Sequence, residues 1–231
     1  MNGILKKVLT WVVLPLVIIA LCYAVVRSIM EPVEFNKEKD FREEIAIQRL
    51  KDIRTLQVAF KSETGRFAST IDSLKDFYKQ GNMTVLMQIG SIDDSTAVAH
   101  TEALQKANRK ITNKDLYQRY LAGDTKLVFS IENKIPVRDT LFNGRSDFRV
   151  DDLGTIPFSN GKPIQMEATV KTVSGVQVPL FEAKIPYRDL LTGLDNQLRI
   201  NLDAERRDQN KYEGLQVGSV TAPNNNAGNW E

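Results

Sequence analysis

Residues 39–62, KDFREEIAIQRLKDIRTLQVAFKS, decide the fold of this chain. Neither Gly nor Pro interrupts the stretch, and its apolar residues recur every three or four positions, as they do on one face of a helix. The residues of this face are Ala46, Leu50, Ile53, Leu56 and Phe60. The pattern predicts an amphipathic helix that buries this face against the rest of the protein. Gly65 can adopt the positive φ that ends a helix, and residues 69–81 predict a second, shorter helix.

The segment before this helix is long and apolar enough to cross a membrane. Val8 to Val26 form 19 residues without a charge, and at about 1.5 Å per residue they span a hydrocarbon core of roughly 30 Å. A cleaved signal peptide would have a shorter apolar region, and a lipoprotein signal would need a small residue where Leu21 precedes Cys22. We therefore expect an uncleaved anchor over residues 8–30, with the lipid bilayer as its partner.

The charge distribution predicts the orientation of the anchor. Lys6 and Lys7 precede the apolar run, which favours a cytoplasmic N-terminus and places the rest of the chain outside the cytoplasm. Residues 1–30 carry three bases and no acid, whereas the other 201 residues carry 28 bases and 29 acids. A body so close to neutral lacks the clustered basic face that nucleic-acid binding needs, so no nucleic-acid partner is expected.

The residues that usually carry chemistry are scarce. Cys22, the one cysteine, lies in the apolar run, and His100 is the one histidine. These counts argue against disulfide scaffolds, Cys-based zinc sites, thiol nucleophiles and multi-His metal sites in the body. The acid pairs at 93–94 and 151–152 lie outside any EF-hand-like loop and are better explained as solvated turn residues than as calcium ligands. We expect no cofactor, no metal and no enzymatic activity.

A resemblance appears in residues 49–67, RLKDIRTLQVAFKSETGRF. They resemble the extracytoplasmic half of the long N-terminal helix of type II secretion pseudopilins. In that family an aromatic residue, a Lys, an acid and a Gly-Arg-aromatic sequence close the helix, and a second short helix follows. The residues at those places in this chain are Phe60, Lys61, Glu63, Gly65, Arg66 and Phe67. The resemblance covers residues 39–78 and implies one membrane anchor that carries a helical stalk and a globular head.

The first 30 residues differ from that family. They contain no short basic leader that ends in Gly before a Phe, and no Glu at the fifth place after such a site. The family uses these features for processing and filament assembly. We therefore expect a pilin-like stalk and head on an unprocessed anchor, and we keep a pseudopilin that polymerises as an alternative.

A second resemblance covers the whole chain. The segment EPVEFNK at residues 31–37, the helix described above and the ending NNNAGNWE at residues 224–231 resemble an uncharacterised family of membrane-anchored envelope proteins of Bacteroidota. The resemblance implies an inner-membrane anchor and a periplasmic body in a Gram-negative envelope. It implies no activity.

From residue 125 onward the sequence changes to strand patterns. The predicted strands lie at 127–131, 148–150, 164–173, 176–185, 198–202 and 215–220. The clearest pair is a hairpin over 164–185 with a tight turn at Ser174-Gly175, and Pro179 in its return strand favours an edge or a bulge there. Together these patterns predict an α+β protein: an N-terminal transmembrane helix that continues into a long pilin-like stalk helix, followed by short helices and a mainly antiparallel sheet.

The predicted organisation has five parts. They are a cytoplasmic N-terminus at 1–7, a transmembrane anchor at 8–30, the stalk helix and second helix at 31–81, an α+β periplasmic head at 82–222 and an Asn-rich tail at 223–231. We expect no internal repeat and no second membrane helix.

These expectations favour a non-enzymatic function. The chain is predicted to be an inner-membrane-anchored periplasmic subunit or accessory factor of a membrane protein assembly, with secretion or surface-appendage machinery as the first candidate. Its partners would be other membrane or periplasmic proteins. A tethered periplasmic domain that binds a ligand or resembles an enzyme is the other alternative.

Overall fold

The computed structural model describes residues 9–231. The helices are α1 Leu14–Thr64, α2 Ile71–Gln80, α3 Ser95–Ala107, α4 Asn113–Leu121, α5 Val137–Thr140, α6 Tyr187–Leu190 and α7 Asn196–Asp208. The strands are β1 Asn82–Ile89, β2 Phe129–Pro136, β3 Gln165–Val173, β4 Val176–Pro186 and β5 Gly214–Gly218. A π-helical turn at Leu9–Val13 precedes α1, and a 3₁₀ turn at Val150–Gly154 precedes β3. The α+β prediction, with a long N-terminal helix followed by short helices and antiparallel sheets, is confirmed.

Helix α1 runs without a break from the apolar segment into the predicted stalk. Pro15 lies in its first turn, the part of a helix that best tolerates proline, whereas Pro32 lies inside the helix, close to where the apolar sequence gives way to a charged one. The helix ends before Gly65, which has a φ of +77° and donates its N–H to the Lys61 carbonyl at 2.8 Å. Gly65 thus ends the helix, as predicted.

The chain folds into two compact units. The first unit contains the described residues up to Thr55, residues 69–71 and residues 151–231. The second unit contains residues 56–68 and 72–150. Each unit has one antiparallel sheet.

The first unit contains a three-stranded sheet in the order β3-β4-β5. The β3–β4 hairpin turns at Ser174 and Gly175, both with positive φ, as the sequence predicted. Strand β5 pairs with β4 only between Glu182 and Pro186, so Pro179 lies where β4 has a strand on one side alone, in agreement with its expected edge position. The buried apolar side chains of this unit include Ala46, Leu50, Ile53, Ile156, Leu180, Phe181, Ala183, Ile185, Leu190, Leu215 and Val217.

The second unit contains a two-stranded sheet of β1 and β2, with Met83 opposite Ile135. Leu116 of α4, Leu127 and Phe129 form its buried cluster, and half-buried apolar side chains such as Ile89 pack around them. Thr112 begins α4 with a capping box: its side chain accepts from the Asp115 N–H, and the Asp115 carboxylate accepts from the Thr112 N–H.

Two predicted strands are wrong. Residues 198–202 lie in α7, where Asp195 caps the helix by accepting from the Leu198 N–H and Arg199 pairs with Asp203 one turn later. Five residues of alternating polarity fit a short helix face as well as a strand, and the cap decides between them. Residues 148–150 enter the 3₁₀ turn rather than a strand, and the Phe148 ring stacks on Phe142 at 4.0 Å.

Candidate functional site

The apolar part of α1 is the first candidate site. Every side chain from Thr10 to Met30 is exposed, including the large apolar ones. Among the described residues, α1 with its preceding π-helical turn is the one helix long and apolar enough to cross a membrane, which is compatible with a single-pass membrane protein. Lys6 and Lys7, on which the predicted orientation depends, lie outside the described residues.

The stalk face predicted from the sequence is buried as expected. Ala46, Leu50, Ile53 and Leu56 are fully buried. Phe60 is half-buried and packs edge-on against Phe77 of α2, with ring centroids 5.3 Å apart. The face therefore stabilises the folded units and does not provide a free surface.

The pilin-like motif is brought together in the second unit, at the end of α1. Lys61 Nζ lies 4.9 Å above the centre of the Phe67 ring, and Phe67 is buried. The Glu63 carboxylate accepts a hydrogen bond from the Thr84 N–H at 2.5 Å and another from the Thr84 hydroxyl at 3.2 Å. Arg66 is exposed. Most of the motif therefore fixes the turn after the helix and the start of β1.

Gln57 belongs to the same turn, although the sequence patterns did not single it out. Its amide is fully buried, accepts from the Ala68 N–H and donates to the Ala68 carbonyl, both at 2.8 Å. This pair of bonds replaces the backbone partners that a chain leaving a helix loses. A polar residue on the otherwise apolar side of an amphipathic helix was the signal that could have identified it.

The remaining candidate chemical groups have local structural roles. His100 Nε2 lies 3.1 Å from an Asp124 carboxylate oxygen at the surface, and this hydrogen bond lowers the pKa of Asp124. Asp94 caps α3 by accepting from the Thr96 and Ala97 N–H groups. Within residues 9–231 no three His, Cys, Asp or Glu side chains come together as a metal site would require.

A partly buried polar contact joins α6 and α7 in the first unit. The Arg206 guanidinium donates to the Tyr187 hydroxyl at 2.8 Å, and the guanidinium lies 5.4 Å from the centre of the same ring. Burial, followed by a hydrogen bond to Glu43, raises the pKa of Tyr187 well above its ordinary value. Such a phenol stays protonated and serves as a hydrogen-bonding group that holds the helices together.

The end of the chain packs onto the first unit. Glu231 pairs with Arg54 of α1 at 2.6 Å. The Asn229 N–H donates to the Gln216 carbonyl of β5 at 2.9 Å, and Gly228 forms a bridge with Val217. The Asn-rich segment therefore covers the outer edge of β5.

A short internal repeat was missed, so the expectation of none is wrong over this segment. ENKIPVRDTL at 132–141 and EAKIPYRDLL at 182–191 share Glu, Lys, Ile, Pro, Arg, Asp and the final Leu at the same places. Both copies form the end of a strand followed by a one-turn helix, β2 with α5 and β4 with α6. A comparison of the sequence with itself at an offset of 50 residues would have revealed it, but at ten residues the match is too short for a periodicity search.

Comparison with known proteins found no matching family model, no matching curated protein and no matching solved structure.

Proposed function

We propose that this protein is a non-enzymatic, membrane-anchored subunit or accessory factor of a protein assembly in a bacterial envelope. The apolar part of α1 lies in the inner membrane, with the N-terminus in the cytoplasm. Both folded units lie in the periplasm. This orientation follows the excess of Lys before the anchor.

The observation that carries the proposal is the continuity of α1. One helix of 51 residues contains both the exposed apolar segment and the face buried in the first unit. Such a helix holds a folded head at a set distance from the bilayer, which a scaffold or assembly subunit requires and a freely tethered domain does not. The acid, His and Tyr groups described above are engaged in caps, surface pairs and helix packing, which supports a role in assembly rather than catalysis.

The first experiment tests the anchor. Ile18→Arg combined with Leu21→Arg places two charges in the middle of the span, each unfavourable by about 2.5–3.5 kcal/mol on insertion scales. We expect this variant to leave the membrane fraction after a carbonate wash. The matched control is Val33→Arg, which adds a charge to an exposed position of the same helix beyond the apolar run. If both variants stay in the membrane fraction to the same degree as the wild type, the anchor assignment is wrong.

The second experiment tests the orientation. In a Cys22→Ser background, Lys171→Cys places a thiol in β3, next to the exposed tip of the β3–β4 hairpin. A membrane-impermeant maleimide should label this thiol in spheroplasts without lysis. Labelling that appears only after lysis would place the folded units in the cytoplasm.

The third experiment tests membership in an assembly. Full-length tagged protein, extracted in mild detergent, should migrate in size-exclusion chromatography as a complex of defined stoichiometry. Secretion and surface-appendage machinery are the first systems in which to look for the other components, because residues 39–78 resemble the stalk of type II secretion pseudopilins. A protein that elutes only as a monomer or as a dimer of itself, with no other protein bound, would contradict the proposal.

A further inference from the structure

The outer edge of β2 in the second unit is open. The Val137 N–H donates to the Gly81 carbonyl at 3.0 Å. Val137 and Gly81 are therefore a hydrogen-bonded pair, and this fixes which residues of β2 bond to β1. In an antiparallel pair, the backbone N–H and C=O groups of successive residues point alternately toward the partner strand and away from it. Ser130, Glu132 and Lys134 therefore direct their N–H and C=O groups away from β1. The Asn113 side chain donates to the Ser130 carbonyl at 2.8 Å, in agreement with this direction.

Glu132 and Lys134 leave four backbone groups available at this edge. Both residues are exposed, and so is Asn133 between them. Within the part of the chain that the structure describes, β1 is the one strand beside β2. Unpaired N–H and C=O groups in a row are a template for a further strand.

In the other copy of the internal repeat, the corresponding edge of β4 does carry a strand. The Tyr187 N–H donates to the Glu213 carbonyl at 3.0 Å, so β5 occupies the side of β4 that corresponds to the β1 side of β2. Strand β3 occupies the other side of β4, where it lies opposite Glu182 and Lys184. These are the counterparts of Glu132 and Lys134. Charges at these positions therefore do not prevent pairing, although charged residues often protect edge strands.

We propose that the occupant of this edge is the β2 strand of a second copy of this chain, paired antiparallel about a two-fold axis. A two-fold interface joins the same surface of two subunits, so the strand must be complementary to itself. Opposite charges across an antiparallel pair stabilise it, whereas like charges directly opposite destabilise it. This inference goes beyond the proposed function, since the edge can pair whether or not α1 lies in a membrane.

The charges select one register. Pairing centred on Glu132 would place the two glutamates opposite each other, and pairing centred on Lys134 would do the same with the lysines. Pairing centred on Asn133 places each Glu132 opposite the Lys134 of the other copy. In this register the N–H and C=O groups of Glu132 and Lys134 make four hydrogen bonds across the interface.

Asn133, where the two-fold axis would pass, gives a direct test. The two Asn133 residues would form a non-hydrogen-bonded pair with Cα atoms about 4.5 Å apart, a distance that a disulfide spans. In a Cys22→Ser background, Asn133→Cys in the full-length protein should form a disulfide-linked dimer on mild oxidation in native membranes. The matched control is Gln88→Cys, an exposed position on the other strand of the same sheet. The inference is overturned if Asn133→Cys gives no more dimer than Gln88→Cys, as it would if a strand of a different protein occupied the edge.

Charge reversal provides the second test, in the same Asn133→Cys background. Glu132→Lys places lysines opposite each other at both ends of the interface, and Lys134→Glu does the same with glutamates. Each single variant should reduce the yield of linked dimer by roughly five- to tenfold. The double variant Glu132→Lys with Lys134→Glu restores both opposite-charge pairs and should recover the wild-type yield. If the double variant stays as low as the single ones, the register is wrong and the proposal fails, because these exposed substitutions leave the buried cluster unchanged.

Discussion

At the scale of single residues, the structure depends on a few polar groups that hold chain ends and turns. Gln57 fastens the loop after α1, and Glu231 fastens the end of the chain to Arg54. Sequence patterns indicated the helix end at Gly65, because a glycine after an uninterrupted helical run has a local meaning. They did not indicate the Gln57 contact, because its partner lies eleven residues later and depends on how the loop returns.

Replacing Gln57 by Ala should lower the free energy of unfolding by about 1–3 kcal/mol. The substitution leaves the buried Ala68 N–H and C=O groups without their partner, and an unsatisfied buried group is unfavourable by about that amount. Urea unfolding in mild detergent, followed by circular dichroism, measures the change. Val58→Ala is the control, because Val58 is exposed on the same helix and should change the stability by less than about 0.5 kcal/mol. Equal effects of the two substitutions would contradict the assigned role.

The pairing of Glu231 with Arg54 predicts a pH dependence. The hydrogen bond from Arg54 lowers the pKa of Glu231 below its ordinary value of 4.5. The ionised carboxylate favours the packed tail, so this contribution is present above pH 4.5 and is lost as the pH falls through the lowered pKa. In a Trp11→Phe background, Trp230 is the one remaining Trp, and its quenching by acrylamide should increase as the pH falls through this lowered pKa.

Glu231→Gln supplies the control for this titration. The amide cannot ionise, so its Trp230 should show the more quenched state at neutral pH and little further change on acidification. A variant that keeps the full acid-induced change would show that another group controls the tail.

At the scale of elements, the predictions that were confirmed rest on long sequence patterns with a regular period. The helix at 39–62 and the hairpin at 164–185 were predictable because each carries many repeats of its period and ends at a residue suited to the turn. The segment 198–202 offered only five residues, and its assignment depended on Asp195 capping a helix. Strand partners were not predictable, since the position of β5 beside β4 depends on contacts far apart in sequence.

The buried face of α1 predicts a large effect of a single truncation. Leu50 is fully buried, so Leu50→Ala should reduce the free energy of unfolding by about 2–5 kcal/mol through lost burial and the cavity that remains. Val33→Ala truncates a side chain on an exposed face of the same helix and should cost less than about 1 kcal/mol. Urea unfolding of both variants in the same detergent gives the comparison. A small effect of Leu50→Ala would mean that this face does not contribute to the core.

At the scale of the whole molecule, the exposed apolar segment and the folded units are separable. The side chains from Thr10 to Met30 are all exposed, so they contribute nothing to the core of either unit. The charge count located this division in the sequence, because the basic excess lies before residue 31. The division of the body into two units was not predictable, since the first unit combines residues up to Thr55 with residues 151–231, which are distant in the chain.

A chain that begins at residue 31 should therefore be soluble and folded. We expect it to remain in the supernatant after ultracentrifugation and to show a cooperative thermal transition by circular dichroism. A chain that begins at residue 57 also lacks Ala46, Leu50 and Ile53 and should lose the cooperative transition of the first unit. If the longer chain aggregates as the shorter one does, residues 10–30 contribute to folding.

The uninterrupted helix α1 also fixes the angle, measured around the helix axis, between the apolar segment and the first unit. Its 51 residues extend roughly 76 Å, and each residue turns the chain by about 100° around the helix axis. Deleting one residue near Pro32 would rotate the first unit by about 100° relative to the exposed apolar residues 14–30, whereas inserting seven would nearly restore the angle and move the unit about 10 Å further along the axis. A protein that binds one face of the apolar segment therefore meets one side of the first unit. In the membrane arrangement proposed above, the helix sets the direction in which the first unit faces as well as its height above the bilayer.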